Sequence, residues 1–176
     1  MGMFEDLAAA DTYEKGFYFK PGRYEVEITK VSKEKSKRKP GVSHFKIITK
    51  VIKCDSLEPG QPAPYRPGDI VSSIYDLSKA SGAPNAKMFV RGACQQFGIN
   101  KGLSDEELRN LDKEFAQNAP PEANGDHPSE KHFAACVGPD SILNGMRIRV
   151  DAFNNPEGTF TNVNWVVRTK AEQEQF

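Results

Sequence analysis

Alternation of polar and apolar residues marks the strand-forming stretches of this chain. In residues 23–29 every second residue is apolar or aromatic, which is the period of a strand with one buried face. Residues 43–53 are rich in β-branched residues, which favour strands. With one shorter run and two later stretches, the pattern predicts five strands, at residues 23–29, 43–53, 69–77, 146–153 and 159–167.

A different period separates the third predicted strand from the fourth. Apolar residues recur three and four positions apart in residues 85–97, which predicts an amphipathic helix that Gly98 ends. Ser104 and Glu107 have the spacing of a capping box, so a second helix is expected after them. Residues 132–137 fit either a short helix or a short strand.

Three strands, a helical segment and two strands are the chain order of the OB-fold. We therefore predict a mainly β protein, a five-stranded Greek-key barrel with helices between strands 3 and 4. The expected organisation is one domain over residues 1–170, with a helical insertion at about 84–140. Residues 171–176 are expected to form a short, flexible acidic tail.

The first two predicted strands are joined by a strongly basic stretch. Six of the ten residues from Lys30 to Lys39 are Lys or Arg, Glu34 alone opposes them, and Pro40-Gly41 ends the run with a turn signal. Like charges at this density repel one another, so the pattern predicts a mobile loop that a polyanion would order. The alternative is a solvated hairpin tip that keeps a sheet edge soluble.

Charge is distributed unevenly although 24 basic and 24 acidic residues balance overall. Residues 1–54 hold 12 Lys and Arg against 7 Asp and Glu, and residues 55–140 hold 8 against 13, so the two regions carry +5 and −5. This polarity favours a protein with a defined electrostatic face over one that coats any polyanion indiscriminately. The three cysteines form no CxxC motif, which favours buried thiols in a reducing compartment.

Several stretches resemble bacteriophage single-stranded DNA-binding proteins of the OB type. They are the strand at 24–28, the Lys-rich loop closed by Pro40-Gly41, and residues 145–150 with 158–165. The resemblance covers about half the chain and implies a role in phage replication or recombination. Such relatives often end in an acidic tail with a terminal aromatic, and Glu172, Glu174 and Phe176 are a weak form of it. That implies possible recruitment of replication or recombination proteins, in the host cytoplasm.

Candidate binding residues follow from the basic loop and the strand faces. Alternation assigns Ile148, Val150 and Ala152 to the core and turns Arg147, Arg149 and Phe153 outward. Lys and Arg would pair with phosphates, and aromatic rings would stack on bases. The predicted nucleic-acid-binding residues are Lys33, Lys35, Lys37, Arg38, Lys39, Phe45, Lys46, Lys50, Tyr75, Arg147, Arg149, Phe153, Phe160 and Asn162. The assignment leaves open which face of the second strand binds, whether the N-terminal aromatics Tyr13, Phe17, Tyr18 and Phe19 form a packed flap or stacking platforms, and whether Trp165, assigned to the core, instead binds.

Other function classes have weaker support. His127, His132 and Cys136 lie within ten residues of one another, but zinc sites need three or four ligands and usually a paired CxxC, so no metal or cofactor is predicted. Phosphate-binding, HExxH and nucleophile-elbow motifs are absent, so no catalysis is expected. The alternatives are a phage structural or assembly protein whose basic loop docks on an acidic partner, and a small nuclease. The chain has no apolar run of membrane length and no leader pattern, so a soluble cytoplasmic protein is expected.

Overall fold

A computed structural model describes residues 18–116 and 128–174 of the chain. The described strands are β1 (Gly22–Lys35), β2 (Ser43–Asp55), β3 (Ile70–Asp76), β4 (Arg147–Asn154) and β5 (Thr161–Val166). The described helices are α1 (Gly82–Lys101), α2 (Asp105–Ala116), α3 (Pro128–Cys136) and α4 (Lys170–Gln173). The predicted order of three strands, helices and two strands is confirmed. Residues 132–136, which fitted two interpretations, belong to helix α3.

One antiparallel sheet holds all five strands, in the order β3-β2-β1-β4-β5. The predicted alternation is confirmed on β4, where Ile148, Val150 and Ala152 are buried. On β2 the buried face carries Phe45, Ile47, Thr49 and Val51. Burying these apolar side chains against the helices supplies the main favourable term for folding, about 25 cal/mol per Å² of apolar surface.

A β-bulge changes which residues of β1 face the core. Ile28 and Val31 are both buried although they are three positions apart, which an unbroken strand would not allow. The pairing with β2 shifts between Ile28 and Lys30, so Thr29 is the extra residue and the alternation resumes one position later. The bulge therefore lets β1 continue past the predicted end at residue 29 with its apolar residues still inward.

The two edge strands, β3 and β5, approach each other through side chains. The Trp165 indole N–H donates to the Tyr75 hydroxyl over 3.3 Å. Tyr18 forms a parallel bridge with Ser72 of β3, and the buried Phe19 ring meets Trp165 edge-on with centroids 5.8 Å apart. Within residues 18–116 and 128–174 no backbone pairing joins β3 to β5, so hydrogen bonds do not close the sheet into the predicted barrel.

The N-terminal aromatics therefore have different environments where they are described. Phe19 is core, as the packed-flap interpretation requires, and Tyr18 is exposed beside β3. Tyr13 and Phe17 lie outside the described residues. Trp165 packs against Phe89 of α1 with ring centroids 4.7 Å apart, which confirms its assignment to the core.

Helix α1 runs three residues past Gly98, the predicted stop, and ends at Lys101. Gly102 ends it in the left-handed conformation at φ +82°, which only glycine adopts readily. Gly98 instead lies where Leu103 and Leu108 pack closely against α1, since a Cβ there would be 2.9 Å from a methyl of each. The predicted capping box of α2 is confirmed: the Ser104 N–H donates to the Glu107 carboxylate and the Glu107 N–H to the Ser104 hydroxyl.

The predicted flexible tail begins in a helical turn instead. Thr169 caps α4, accepting from the Glu172 N–H, while the Thr169 N–H donates back to the Glu172 carboxylate. The Gln173 side chain donates to Asn100 at the end of α1. Phe176 lies outside the described residues. No helix in the described part of the chain is long and apolar enough to cross a membrane.

Candidate nucleic-acid interface

The basic stretch is folded as the outer part of the β1–β2 hairpin, which corrects the prediction of a mobile loop over residues 30–41. Strand β1 continues to Lys35, which pairs with Ser43 of β2. Only residues 36–42 connect the strands. Val31 is fully buried within the basic run, so this part of the hairpin is anchored by apolar packing as well as by the strand ladder.

The hairpin turn is closed by a few short-range hydrogen bonds. The Ser36 N–H donates to the Val42 carbonyl over 2.7 Å, and the Ser36 hydroxyl accepts from the N–H groups of Arg38 and Lys39. Gly41 takes the positive φ of +78° that reverses the chain. The five basic side chains at this end of the hairpin are exposed: Lys33, Lys35, Lys37, Arg38 and Lys39. A folded turn thus presents a cluster of positive charge to solvent.

Glu34 is the internal counter-charge of the hairpin. Its carboxylate lies 3.0 Å from Lys46 Nζ and 4.0 Å from Lys30 Nζ. The hydrogen bond from Lys46 lowers the pKa of Glu34. Lys46 has only 12% of its side chain exposed and pairs with Glu34 within the hairpin. We therefore no longer assign it a phosphate contact.

Charged rows cross the outer face of the sheet, the face opposite the helices. Lys50, Glu27 and Arg147 are neighbours across β2, β1 and β4. In the next row Arg149 lies opposite Glu25, and its side chain, 17% exposed, donates to Asp151 over 3.1 Å. Arg149 is therefore engaged within the sheet, whereas Arg147 is exposed and Lys50 partly so.

Two predicted stacking residues belong to the core instead. Phe45 has no exposed surface, because its ring packs between Phe89 of α1 and Phe133 of α3. Tyr75 is half-buried and accepts the Trp165 N–H, so it joins the edge strands, and burial raises the pKa of Tyr75. Phe45 offers no surface to a base, so its predicted stacking role is wrong, whereas the Tyr75 ring packs against the core and keeps part of its surface exposed.

The β4–β5 loop, residues 155–160, is organised by one buried side chain. The Asn155 carbonyl oxygen accepts from the N–H groups of Thr159 and Phe160 over 2.8 and 3.2 Å. Its amide group donates to the Thr159 hydroxyl over 2.7 Å, and its own N–H donates to the Phe160 carbonyl. Gly158, at φ +69°, allows the reversal. Asn155 therefore bonds both the N–H and the C=O of Phe160.

Aromatic surface is exposed at this loop. The side chains of Phe153 and Phe160 are 41% and 58% exposed, in contrast to the buried Phe45. Asn162 lies directly opposite Phe153 in the β4–β5 pairing, so two of the predicted residues are brought together. An exposed ring can stack on a base while the neighbouring amide hydrogen-bonds to the same base.

The strand register sets the separation of the basic and aromatic clusters. Strand β4 pairs with residues 22–27 of β1, so the β4–β5 loop extends beyond the start of β1 and the basic turn beyond its end. Fourteen residues of strand span up to roughly 40 Å at about 3.3 Å per residue. Lys50 and Arg147 lie beside Glu27, near the middle of this path.

Sequence reasoning missed Asn155. The Asn-Asn-Pro-Glu-Gly run predicted a turn, but nothing local indicates that the second asparagine is buried and organises it. Of the three candidate metal ligands, His132 pairs with Glu114 at 2.6 Å and Cys136 contacts Cys94, while His127 lies outside the described residues. Among the described residues no group of three or more His, Cys, Asp or Glu could hold a metal ion.

No protein-family model matches this chain, and comparison with curated proteins found no significant match. The function is therefore inferred from the chain's own residues.

Proposed function

We propose that this protein binds single-stranded DNA with little sequence preference and without catalysis, in phage replication or recombination. The observation that carries the proposal is the arrangement along one sheet face. A basic hairpin turn lies beyond one end of β1, two exposed phenylalanines lie beyond the other, and Lys50 and Arg147 lie between them. A single strand offers charged phosphates and open base faces, and this path provides a partner for each.

The strand order supports an OB-type architecture. Closing β3 onto β5 in the order β3-β2-β1-β4-β5 gives the Greek-key barrel that OB domains use to bind oligonucleotides. The Trp165–Tyr75 hydrogen bond already joins these two edges, and the Phe19 ring packs edge-on against Trp165. In that architecture the β1–β2 and β4–β5 loops flank the binding face, which is where the basic and aromatic clusters lie.

Each cluster has a separate task in the proposal. Lys33, Lys35, Lys37, Arg38 and Lys39 attract the phosphates, and Lys50 and Arg147 guide the backbone along the sheet. Phe153 and Phe160 stack on bases, each worth about 1–3 kcal/mol, and Asn162 hydrogen-bonds to a base edge. Because contacts to phosphate and stacking do not distinguish sequences, affinity should be nearly the same for different base compositions.

The first test measures the affinity of the protein for labelled single-stranded DNA, duplex DNA and single-stranded RNA over a range of salt. If about five phosphates are neutralised, log K against log salt should fall with a slope of roughly −3 to −4 for single strands. A flat salt response, or a strong preference for duplex, contradicts the proposal. Binding to none of the three favours the structural-protein alternative, and degradation of the probe with a divalent metal favours the nuclease.

Two variants then separate the tasks of the two clusters. Replacing Lys35, Lys37, Arg38 and Lys39 by Ala should weaken binding to every sequence and make the salt slope shallower by about 0.7 for each phosphate contact that is lost. Phe160→Ala should lower affinity by about 1–3 kcal/mol with an unchanged slope, since stacking releases no counterions.

A charge-matched control replaces four exposed basic residues outside the path, Lys79, Arg109, Lys113 and Lys131, by Ala. It should keep nearly the parental slope and affinity. Equal losses in this control and in the turn variant would mean that net charge alone drives binding, and the assigned path would be wrong.

A further inference from the structure

Two of the three cysteines meet in the core. Cys94 of α1 and Cys136, the last residue of α3, have their Sγ atoms 3.4 Å apart and hydrogen-bonded. Both are buried, with 4% and 0% of their surface exposed. Cys54 of β2 is only half-buried and lies apart from this pair, beside Tyr24 and Tyr65.

The pair is already close to the geometry of a disulfide. A disulfide needs an S–S distance of about 2.05 Å, so the sulfurs would have to approach by roughly 1.4 Å. The residues are 42 positions apart in the chain and belong to two helices that pack together. A bridge would therefore be intramolecular and would join two helices that already pack together.

We propose that Cys94 and Cys136 form a redox-active dithiol, which a hydroperoxide oxidises to a disulfide between α1 and α3 and a thiol reductant restores. The Cys94 thiolate attacks the peroxide oxygen, which gives the Cys94 sulfenic acid and, with a proton, one water molecule or alcohol. The Cys136 sulfur then attacks the Cys94 sulfur, so that the S–S bond forms and the sulfenic oxygen leaves as water. Two electrons and two thiol protons pass to the peroxide.

The hydrogen bond between the thiols supports this order of events. The Cys136 S–H, bonded to Cys94, lowers the pKa of the Cys94 thiol, while burial acts in the opposite direction. Residue Cys94 also keeps 4% of its surface exposed, whereas Cys136 is fully buried. The more acidic thiol is the one expected to react with a small oxidant first, because the thiolate is the nucleophile.

A disulfide would also restrain the segment that packs against the β1–β2 hairpin. Beyond Cys136, the Gly138 N–H donates to the Val31 carbonyl of β1 over 2.8 Å, and the Ser141 hydroxyl donates to the Cys136 carbonyl over 2.6 Å. Phe133 of α3 packs on Phe45 of β2. Oxidation would thus tie α1 to the segment on which the hairpin rests.

The test oxidises the full chain with a small excess of hydrogen peroxide, blocks the remaining thiols and maps the peptides. We expect the Cys94- and Cys136-containing peptides to be joined, with the mass of two hydrogen atoms lost and one free thiol left of three. Dithiothreitol should reverse the change. The oxidised protein should melt about 5–10 °C higher than the reduced one, because the bridge restricts the unfolded chain.

Variants identify the sulfurs. Cys54→Ser should keep the bridge and its thermal effect. Cys94→Ser should abolish both, and Cys136→Ser should leave a sulfenic acid at Cys94 that dimedone traps. Bridges that involve Cys54, three unreacted thiols after oxidation, or an oxidised Cys54→Ser protein that melts lower than its reduced form would each overturn the proposal. None of these readouts uses DNA, so they stand apart from the proposed function.

Discussion

The β1–β2 and β4–β5 hairpins both reverse the chain at an end of the sheet, but different interactions stabilise them. The β1–β2 hairpin is long, with strands of 14 and 13 residues, and in its turn the Ser36 hydroxyl accepts from two backbone N–H groups. The β4–β5 hairpin has strands of 8 and 6 residues, and its loop is fastened by the buried Asn155.

This difference matches the kind of side chain that each hairpin exposes. Five basic side chains repel one another at the first turn. The strand pairing and the buried Val31 and Phe45 stabilise the hairpin against this repulsion. The second loop carries one large exposed ring, Phe160, whose backbone Asn155 fixes. Long basic side chains suit phosphates, because an ion pair does not require one fixed orientation. A ring held in place suits stacking on a base.

The largest expected effect tests whether the stem of the first hairpin is core. Phe45→Ala should reduce the free energy of unfolding by about 3–5 kcal/mol, because it leaves a cavity between Phe89 and Phe133. Urea denaturation measures it. Phe160→Ala is the matched control and should change stability by less than about 0.5 kcal/mol. A nearly neutral Phe45→Ala would mean that this ring is not buried.

The second effect tests whether one side chain holds the second loop. Asn155→Ala should cost about 1–3 kcal/mol of unfolding free energy, because the N–H groups of Thr159 and Phe160 lose their acceptor. Amide hydrogen exchange at these two positions should become faster. The exposed Asn164→Ala serves as a control and should change neither measurement. Unchanged exchange in Asn155→Ala would mean that the strands alone fix the loop.

The smallest effect concerns the ion pair within the first hairpin. The pKa of Glu34 is lowered from its ordinary value of 4.5, so its pairing with Lys46 stabilises the fold above pH 4.5 and is lost as pH falls through the lower folded value. Because 43% of the Glu34 side chain is exposed, solvent screens the pair, and Glu34→Gln should cost less than about 0.5 kcal/mol at pH 7.

Urea denaturation of Glu34→Gln and its parent at pH 7 and pH 3 checks this prediction. The two proteins should differ at pH 7, and the difference should become smaller at pH 3 as the Glu34 carboxylate takes up protons. Glu58→Gln, at an exposed position beyond β2, should match the parent at both values. A difference that persists or grows at pH 3 would contradict the assigned sign.

The sequence alone determined the features that depend on neighbouring residues. Side chains on a strand alternate whatever lies around it, so Ile148, Val150 and Ala152 could be assigned to one face. Ser104 and Glu107 cap α2 because the two residues are three positions apart. The exposed Lys37 and Phe160 follow from the same local logic, since a charge run and a short turn stay at the surface.

Tertiary structure decided what depends on distant parts of the chain. Phe45 and Lys46 are adjacent in sequence, but α1 and α3 cover the first while Glu34 pairs with the second. The bulge at Thr29 lets β1 continue into the basic run, which charge density alone had predicted to be a loop. The meeting of Cys94 with Cys136 across 42 residues has no local signature. Periodicity shows that a face exists, but packing between remote elements determines what covers that face and which side chains remain available to a ligand.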